Sequence, residues 1–312
     1  MTTMTTPITY AKALTADLRM AAVIQAQVQM QMADTASLRN FITFVGDING
    51  SGSDSIRLRY ADFGAKTPMA AAADGGDIAA SSMDGSVATV TIARSFLRYD
   101  LTDLLVMSSL GRDLDPFVIA EGLAGSATAR INEIICSTFT NATNSVGTSG
   151  VNMSTDDFMD ALYQLELTNN PNPSRWMCVL HNRQLADLQA SLRAENNNFL
   201  AFSPATEAMS SAKENGFVGS LLGVRVFKSA YVQPDAGNLN YIGMMFSERG
   251  VGYGIGSVPP LAGATEVRPG GAPVTVAFQR DESSGLTEVC AHLYCGASIL
   301  EDDRCVKVIT DL

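Results

Sequence analysis

Histidine and clustered cysteine are scarce in this sequence. The 312 residues include two histidines and five cysteines, and no C-x-x-C pair occurs. An odd number of scattered cysteines argues against a disulfide framework and favours reduced thiols in a cytoplasm. The cysteines are Cys136, Cys178, Cys290, Cys295 and Cys305.

Positive charge and long apolar runs are also lacking. Lysine and arginine total 21 against 32 acidic residues, the formal net charge is -11, and no run of basic residues occurs. Direct nucleic-acid binding is therefore disfavoured, because it needs positive charge to displace phosphate counterions. The N-terminus has no basic start followed by an apolar run, so no secretory signal is predicted. No apolar stretch reaches the ~18 residues that a membrane span requires.

The sequence does contain enough apolar residues for a folded core. Apolar residues make up 46% and charged residues 17%, which predicts an ordered protein of one large or two modest domains. An amphipathic helix is predicted between Leu14 and Met32. Its methionines and glutamines suit either an adaptable contact surface or a helix that packs on its own domain. One face of this helix carries Leu14, Leu18, Ala21, Gln25, Val28 and Met32.

A long hairpin is predicted after this helix. Residues 46–55 are rich in turn formers and precede two extended runs, 56–63 and 87–102. The stretch between the runs consists mostly of small residues and cannot carry a core of its own. We therefore expect the hairpin to protrude and to rest on another surface.

The clearest helix is predicted over residues 115–141. Asp115 is a good N-cap, and Pro116 suits the first helical position. A narrow stripe of mostly apolar residues then recurs at spacings of three and four, and its alanines allow close approach of whatever lies across it. The stripe consists of Phe117, Ala120, Ala124, Ala127, Ile131, Ile134 and Thr138.

The middle of the chain, about 154–260, alternates helix and strand and predicts an α/β lobe. Ser154 and Asp157 have the spacing of a capping box at the start of one helix, and Asn182 is predicted to cap a second. Strands return near the C-terminus, where residues 278–300 predict two strands joined by a charged turn.

The run "GVGYGIG" invites comparison with a dinucleotide-binding loop. Its glycines repeat with a period of two, whereas G-x-G-x-x-G needs a different third position and a following helix. The preferred interpretation is a strand whose bare face is closely approached. The glycines are Gly250, Gly252, Gly254 and Gly256.

The segment 47–58 resembles a calcium-binding loop. Asp47, Asn49, Ser51 and Gly52 match its early positions. The twelfth position, where a bidentate glutamate is needed, is Leu58. A plain turn is the preferred interpretation.

Cys290, His292, Cys295 and Cys305 form the thiol–imidazole group of the chain. On one strand Cys290 and His292 share a face while Cys295 points to the other, which does not suit the four converging ligands of a zinc site. Buried free cysteines are the preferred interpretation. His181 lies at a strand–helix junction without a nucleophile motif such as G-x-S-x-G, so a structural role is predicted.

The acidic residues Glu301, Asp302 and Asp303 predict a polar turn, to which no acid/base role is assigned. No catalytic, cofactor-binding or metal-binding residues are predicted, and no cofactor. The chain is not expected to be an enzyme.

Three stretches resemble recurring sequence of the major capsid proteins of tailed bacteriophages. They are "GSLLGVRVFKSAYV", in which Arg225 stands where proline is common, "MMFSERGVGYGIGSV", and "VAFQRDESSGLTEVCAHLYCGASILEDDRCVKVIT". The resemblance covers about residues 40–312, and the order of the parts carries it. It implies an α+β protein with the Hong Kong 97-type fold.

The resemblance implies five parts. These are an N-terminal arm at 1–50, an E-loop with flanking strands at 51–99, a peripheral domain with a long spine helix at 100–150, an α/β axial domain at 151–260, and C-terminal strands of the peripheral domain at 261–312. The hairpin at 278–300 would then be a beam in a shell wall. Its charged residues Arg280, Asp281, Glu282 and Glu288 are expected at or near subunit contacts, or in a solvated turn.

The implied function is self-assembly into an icosahedral shell of hexamers and pentamers around double-stranded DNA. The implied partners are copies of itself, a portal protein, and a separate scaffolding or decoration protein. DNA is enclosed without specific binding, no membrane is involved, and the chain is located in the virion after assembly in the bacterial cytoplasm. The acidic balance fits, because an acidic wall repels DNA and leaves it mobile.

Two other functions remain open at this point. An encapsulin-like nanocompartment shell shares the fold, and an acidic soluble enzyme built on the α/β lobe belongs to another class. Some phage relatives carry a cleaved N-terminal scaffolding segment, but only about 45 residues precede the predicted hairpin, so a separate scaffolding protein or none is expected. Some also lock their shells with Lys–Asn isopeptide bonds. Lys66 lies in the hairpin, but residues 261–312 contain no asparagine, so a non-covalent shell is expected.

Overall fold

A computed structural model describes most of the chain as two β-sheets, one β-hairpin and three α-helices with defined bounds, together with helical residues at 23–24 and 26–32. The description covers residues 23–24, 26–32, 38–48, 53–61, 85–102, 116–167, 176–194, 202–204, 217–237, 239–256, 274–281 and 283–312. The helices are α1 (Pro116–Ser137), α2 (Thr155–Leu167) and α3 (Asn182–Ala194). Short 3-10 helices span Leu38–Phe41, Thr138–Asn141 and Asp302–Arg304.

The first sheet has five strands and is organised around one long strand. Its members are β1 (Thr43–Asp47), β4 (Ala93–Thr102), β11 (Val251–Ile255), β12 (Val274–Asp281) and β13 (Leu286–Ile299). Strand β13 pairs antiparallel with β4 along one edge and with both β12 and β11 along the other, while β1 extends the sheet beyond β11 in parallel. The predicted C-terminal hairpin is therefore present as β12 and β13.

The second sheet has seven strands in the order β5-β14-β10-β6-β9-β8-β7. Helices α2 and α3 cover one of its faces with the residues of a separate core. The strands are β5 (Ser145–Val146), β6 (Met177–Leu180), β7 (Phe202–Pro204), β8 (Phe217–Leu221), β9 (Val224–Lys228), β10 (Asn240–Phe246) and β14 (Cys305–Asp311). This is the predicted α/β lobe.

The extended run at 87–102 divides between two sheets. Strands β2 (Ser55–Ala61) and β3 (Gly85–Thr91) form the predicted hairpin, and β4 begins two residues after β3 ends. The backbone N–H of Ile92, between them, donates to the Asp54 carbonyl at 2.9 Å. The tip of the hairpin lies outside the described residues.

Helix α1 packs on its own subunit. Its buried residues form two adjacent rows, wider than the predicted stripe, and they share a core with Val274, Val276 and Val289 of the five-stranded sheet. The predicted alanine stripe thus contacts this chain. Asp115 and the side chain of Phe117 lie outside the described residues. The buried apolar residues of α1 are Ile119, Ala120, Leu123, Ala124, Ala127, Ile131, Ile135 and Cys136.

The described part of the N-terminal region also packs on the subunit. Ile24, Val28 and Met32 are buried in the same core as α1, which favours packing on the own domain over a free contact surface. Strand β1 pairs with β11. Residues 43–47 of the predicted arm thus belong to the five-stranded sheet, and the assignment of 1–50 to an arm stays a prediction.

The strands of the C-terminal region divide between the two sheets. Strand β14 pairs with β10 over seven residue pairs, so it belongs to the seven-stranded sheet, whereas β12 and β13 belong to the five-stranded sheet. Residues 261–312 are thus shared between the two sheets. Strand β11, which was predicted at the end of the lobe, lies in the five-stranded sheet.

Among the described helices, none has the length and apolarity needed to cross a membrane.

Candidate assembly surfaces

The base of the hairpin is seated on the bare face of β11 and β13. A Cβ built on Gly254 would lie 3.0 Å from Ile56 Cδ1 and 3.3 Å from Val90 Cγ1. One on Gly296 would lie 2.0 Å from the Thr91 carbonyl oxygen. The "GVGYGIG" run therefore forms a strand whose glycines admit other elements, as its period of two indicates.

The opposite face of the hairpin is exposed. Arg57 pairs across the strands with Thr89, and Arg59 pairs with Val87. All four residues are exposed, and Val87 is 52% accessible. Within the described ranges, neither arginine forms an ion pair. One face of the hairpin thus packs against its own subunit, and the other exposes two arginines and an apolar valine to solvent.

The outer face of β4 carries a second exposed apolar residue, Phe96, at 72% accessibility. The Arg94 guanidinium lies 5.9 Å from the Phe96 ring centroid and 3.2 Å from His292 Nδ1. Nearby, Arg98 forms ion pairs with Asp100 at 2.8 Å and with Glu288 at 3.1 Å. These contacts connect β4 and β13 across their outer face.

The charged turn between β12 and β13 is organised within the chain. The Asp281 carboxylate accepts hydrogen bonds from Ser283 and Ser284, which lower its pKa to about 2. Glu288 is paired with Arg98. The side chain of Arg280 and all of Glu282 lie outside the described residues. The described contacts favour a structured turn, and a role at subunit contacts stays a prediction.

His181 has the structural role that was predicted. Its Nδ1 accepts a hydrogen bond from Arg183 N–H at 3.2 Å, and its own N–H donates to Gln184 Oε1 at 2.9 Å. It therefore caps α3, a role that was assigned to Asn182. Its ring stacks on Tyr241 with centroids 3.6 Å apart, and burial lowers its pKa.

The candidate zinc ligands are not brought together. Cys305 lies in the seven-stranded sheet, whereas Cys290, His292 and Cys295 lie on β13. Burial raises the pKa of Cys295 to about 12, and it also raises the pKa of Cys305. Within the described part of the chain, no group of three potential metal ligands occurs.

The calcium-loop candidate is only partly described. Asp47 ends β1 and Leu58 lies in β2, so a strand follows the loop where a helix would be needed. Asn49, Ser51 and Gly52 lie outside the described residues.

The acidic turn before β14 is held by contacts of its own. Glu301 forms an ion pair with Arg304, and Asp302 Oδ1 accepts from Thr143 N–H at 3.0 Å. These contacts fix the turn beside the start of β14.

A feature that the sequence patterns did not single out lies on α2. Its outer face exposes Met159, Tyr163 and Leu167, whereas its inner face fills the core of the lobe. The sequence signal for this surface is that α2, a helix of 13 residues, carries apolar residues on both of its sides.

No protein-family model matches the sequence, and none of the curated proteins compared matches it. Solved structures do match. The capsid of cyanophage P-SCSP1u is similar at a TM-score of 0.57 and 13% identity, over 88% of both chains. The mature capsid of bacteriophage PhiM1 gives 0.58 and 11%, over 86% of this chain and 85% of that chain.

An encapsulin is equally similar. The holo-SrpI encapsulin complex from Synechococcus elongatus gives a TM-score of 0.59 and 13% identity, over 89% of both chains. These likenesses extend over 86–89% of the chain. The mixed helix and strand content agrees with them. The chain therefore has the fold of these capsid and encapsulin subunits, which is the Hong Kong 97-type fold that its sequence predicted.

Proposed function

We propose that the chain is the major capsid protein of a tailed bacteriophage, a structural protein that assembles into hexamers and pentamers around double-stranded DNA. The observation that carries this proposal is the likeness in fold to phage capsids over 86–88% of the chain. Its function would be assembly, with no catalytic residue, and its location the virion after assembly in the bacterial cytoplasm.

In this proposal the parts of the subunit take the roles that the resemblance implies. The hairpin β2–β3 is the base of the E-loop, and α1 is the spine helix of a peripheral domain built on the five-stranded sheet. The seven-stranded sheet with α2 and α3 is the axial domain. The exposed face of the hairpin supports the role of an arm, because Arg57, Arg59 and Val87 all lie on it with their side chains open to solvent.

The partners remain those that the resemblance implies. A portal protein and a separate scaffolding or decoration protein would act with the shell. DNA would be enclosed without specific contacts, which suits the net charge of -11.

An encapsulin-like nanocompartment is the second candidate function, because the encapsulin from Synechococcus elongatus matches as well as the capsids do. Negative-stain electron microscopy of the expressed chain tests both candidates. Closed particles or tubes are expected. Nuclease-protected DNA inside particles purified from the native source would support a capsid, and a bound cargo protein would support a compartment. A protein that stays monomeric at high concentration and melts higher with a small ligand would instead indicate an enzyme.

A further inference from the structure

The outer face of α2 carries a row of large apolar side chains. Met159, Tyr163 and Leu167 are 45%, 60% and 64% accessible, and their spacing of four aligns them along one side of the helix. The opposite side is buried, since Phe158 and Leu165 are fully enclosed in the core of the lobe. Clustered exposed apolar side chains are a feature of interaction surfaces.

Acidic side chains surround this row. Asp156, Asp160 and Glu166 are exposed, and α2 contains no basic residue. The outer face of α2 therefore combines large apolar side chains with negative charge. A complementary partner surface would carry small apolar residues and positive charge.

The neighbouring helix α3 presents that combination. Ala186, Ala190 and Ala194 are exposed along its outer side with the same spacing of four, beside exposed Arg183 and Arg193. The acidic residue of α3, Asp187, has a side chain only 12% accessible and is paired with Arg183. The outer face of α3 is thus small and basic where that of α2 is large and acidic.

We propose that α2 of one copy packs against α3 of a second copy. The large row would fill the alanine row, in the manner of ridges and grooves on packed helices, and the acidic residues would lie near the arginines. Both helices have 13 residues, so the contact can extend along their full length. The inference rests on the proposed function, because it assumes that copies of this chain assemble.

The arrangement of the two helices gives the contact a direction. Within one subunit α2 and α3 meet through Thr155 and Ser191, whose hydroxyl oxygens are 3.0 Å apart. The helical period of 3.6 residues places Asp160 and Leu167 on α2, and Ala186 and Arg193 on α3, on the sides turned away from this contact. Because the two surfaces differ, the contact is heterologous. A heterologous contact forms a ring when its rotation closes, and the hexamers and pentamers of the proposed function are such rings.

Cysteine cross-linking tests the contact. Two chains are made, each with Tyr163→Cys and with either Ala186→Cys or Ala190→Cys, so that both registers are sampled. Disulfides form only where the Cα atoms come within about 7 Å. After mild oxidation of assembled particles, we expect a ladder of linked chains on a non-reducing denaturing gel that ends at the ring size. Wild type and Tyr163→Cys alone are the controls, and neither should give a ladder.

Each outcome separates the two proposals. A wild type that never assembles contradicts the proposed function. Particles that form normally but give no ladder with either cysteine pair overturn the α2–α3 contact and leave the proposed function standing. A product that stops at dimers, or a dimer from Tyr163→Cys alone, also overturns it, since it shows a face-to-face contact or an α2–α2 contact.

Charge placement provides a second test. Ala190→Glu brings an acid to the surface that should meet Asp160, and glutamate is a good helix former, so the fold is preserved. We expect the protein concentration needed for assembly to rise about tenfold, and Asp160→Lys in the same chain to recover most of that loss. Circular dichroism verifies that the subunits remain folded. Unchanged assembly of Ala190→Glu would contradict the contact.

Discussion

Gly296 allows the hairpin to pack against β13, because it has no side chain at the point where the Thr91 backbone approaches. Because the obstructing atom, the Thr91 carbonyl oxygen, belongs to the backbone, it cannot rotate away from a new Cβ. We expect Gly296→Ala to lower the free energy of unfolding by about 3 kcal/mol, measured by urea denaturation. The matched control is Gly125→Ala on α1, where nothing lies within 4 Å of the new Cβ. That change should raise stability by about 0.5–1 kcal/mol. Equal effects of the two changes would argue against the close approach.

The buried thiols predict a loss of stability at alkaline pH. Burial raises the pKa of Cys136 to about 12, so the folded chain keeps this proton between pH 9 and 12 while the unfolded chain releases it. Stability must therefore fall as pH rises through this window. Comparing pH 8 with pH 10, we expect Cys136→Ala to lose about 1.4 kcal/mol less than the wild type does. Urea denaturation at the two pH values measures this, and identical losses in both proteins would contradict it.

At the scale of elements, one buried side chain joins a helix to two strands. Gln184 on α3 is completely inaccessible, and the two N–H groups of its amide are shared among three acceptors, the carbonyls of Tyr241 and Val308 and Thr310 Oγ1. Its oxygen accepts from His181 N–H. We expect Gln184→Ala to cost about 2–4 kcal/mol, because several buried polar groups lose their partner. Differential scanning calorimetry measures the loss. The control Gln189→Ala, on a half-exposed position of the same helix, should change stability by less than about 0.5 kcal/mol.

Local patterns predicted the elements well where the determining contacts are close in sequence. The capping box at Ser154 is confirmed, since its hydroxyl donates to Asp157 at 2.7 Å and accepts from the Asp157 N–H at 3.2 Å. The cap of α3 was predicted one residue too late, because a histidine ring nitrogen can accept the same bond as an asparagine oxygen. The sequence did not reveal which sheet β14 joins. Strand periodicity shows which face is buried but contains no information about the neighbouring strand.

The same limit explains the alanine stripe of α1 and the exposed row of α2. An apolar stripe indicates that something covers it, but whether the cover is the same chain or another copy depends on the tertiary fold. In the structure Ala120 and Ala124 face the subunit's own sheet, whereas Met159 and Tyr163 remain exposed. The sequence predicted the fold of the whole molecule better than it predicted which surfaces are available for assembly.

At the scale of the whole molecule, the shell is expected to be held together without covalent bonds. Lys66 lies outside the described residues, and no asparagine occurs in residues 261–312 to accept an isopeptide bond from it. Purified particles that are boiled in denaturant and reductant should therefore run as one band at about the subunit mass of 33.0 kDa. A ladder of higher bands under these conditions would contradict the prediction. The control is the variant Lys66→Arg, which should assemble and run like the wild type.

The hairpin offers the sharpest distinction between folding of the subunit and assembly of the shell, because its two faces have different tasks. Arg57 and Arg59 lie on the exposed face, so Arg57→Glu with Arg59→Glu should leave subunit stability within about 0.5 kcal/mol of the wild type and abolish particles. Val90 lies on the seated face and is completely inaccessible. Val90→Ala should cost the subunit about 2 kcal/mol yet permit assembly at low temperature. Thermal melting of the subunit and electron microscopy of the same preparations measure the two effects. If the double arginine variant still forms normal shells, the exposed face of the hairpin does not contact a neighbouring copy, and the role proposed for it as an arm between subunits fails.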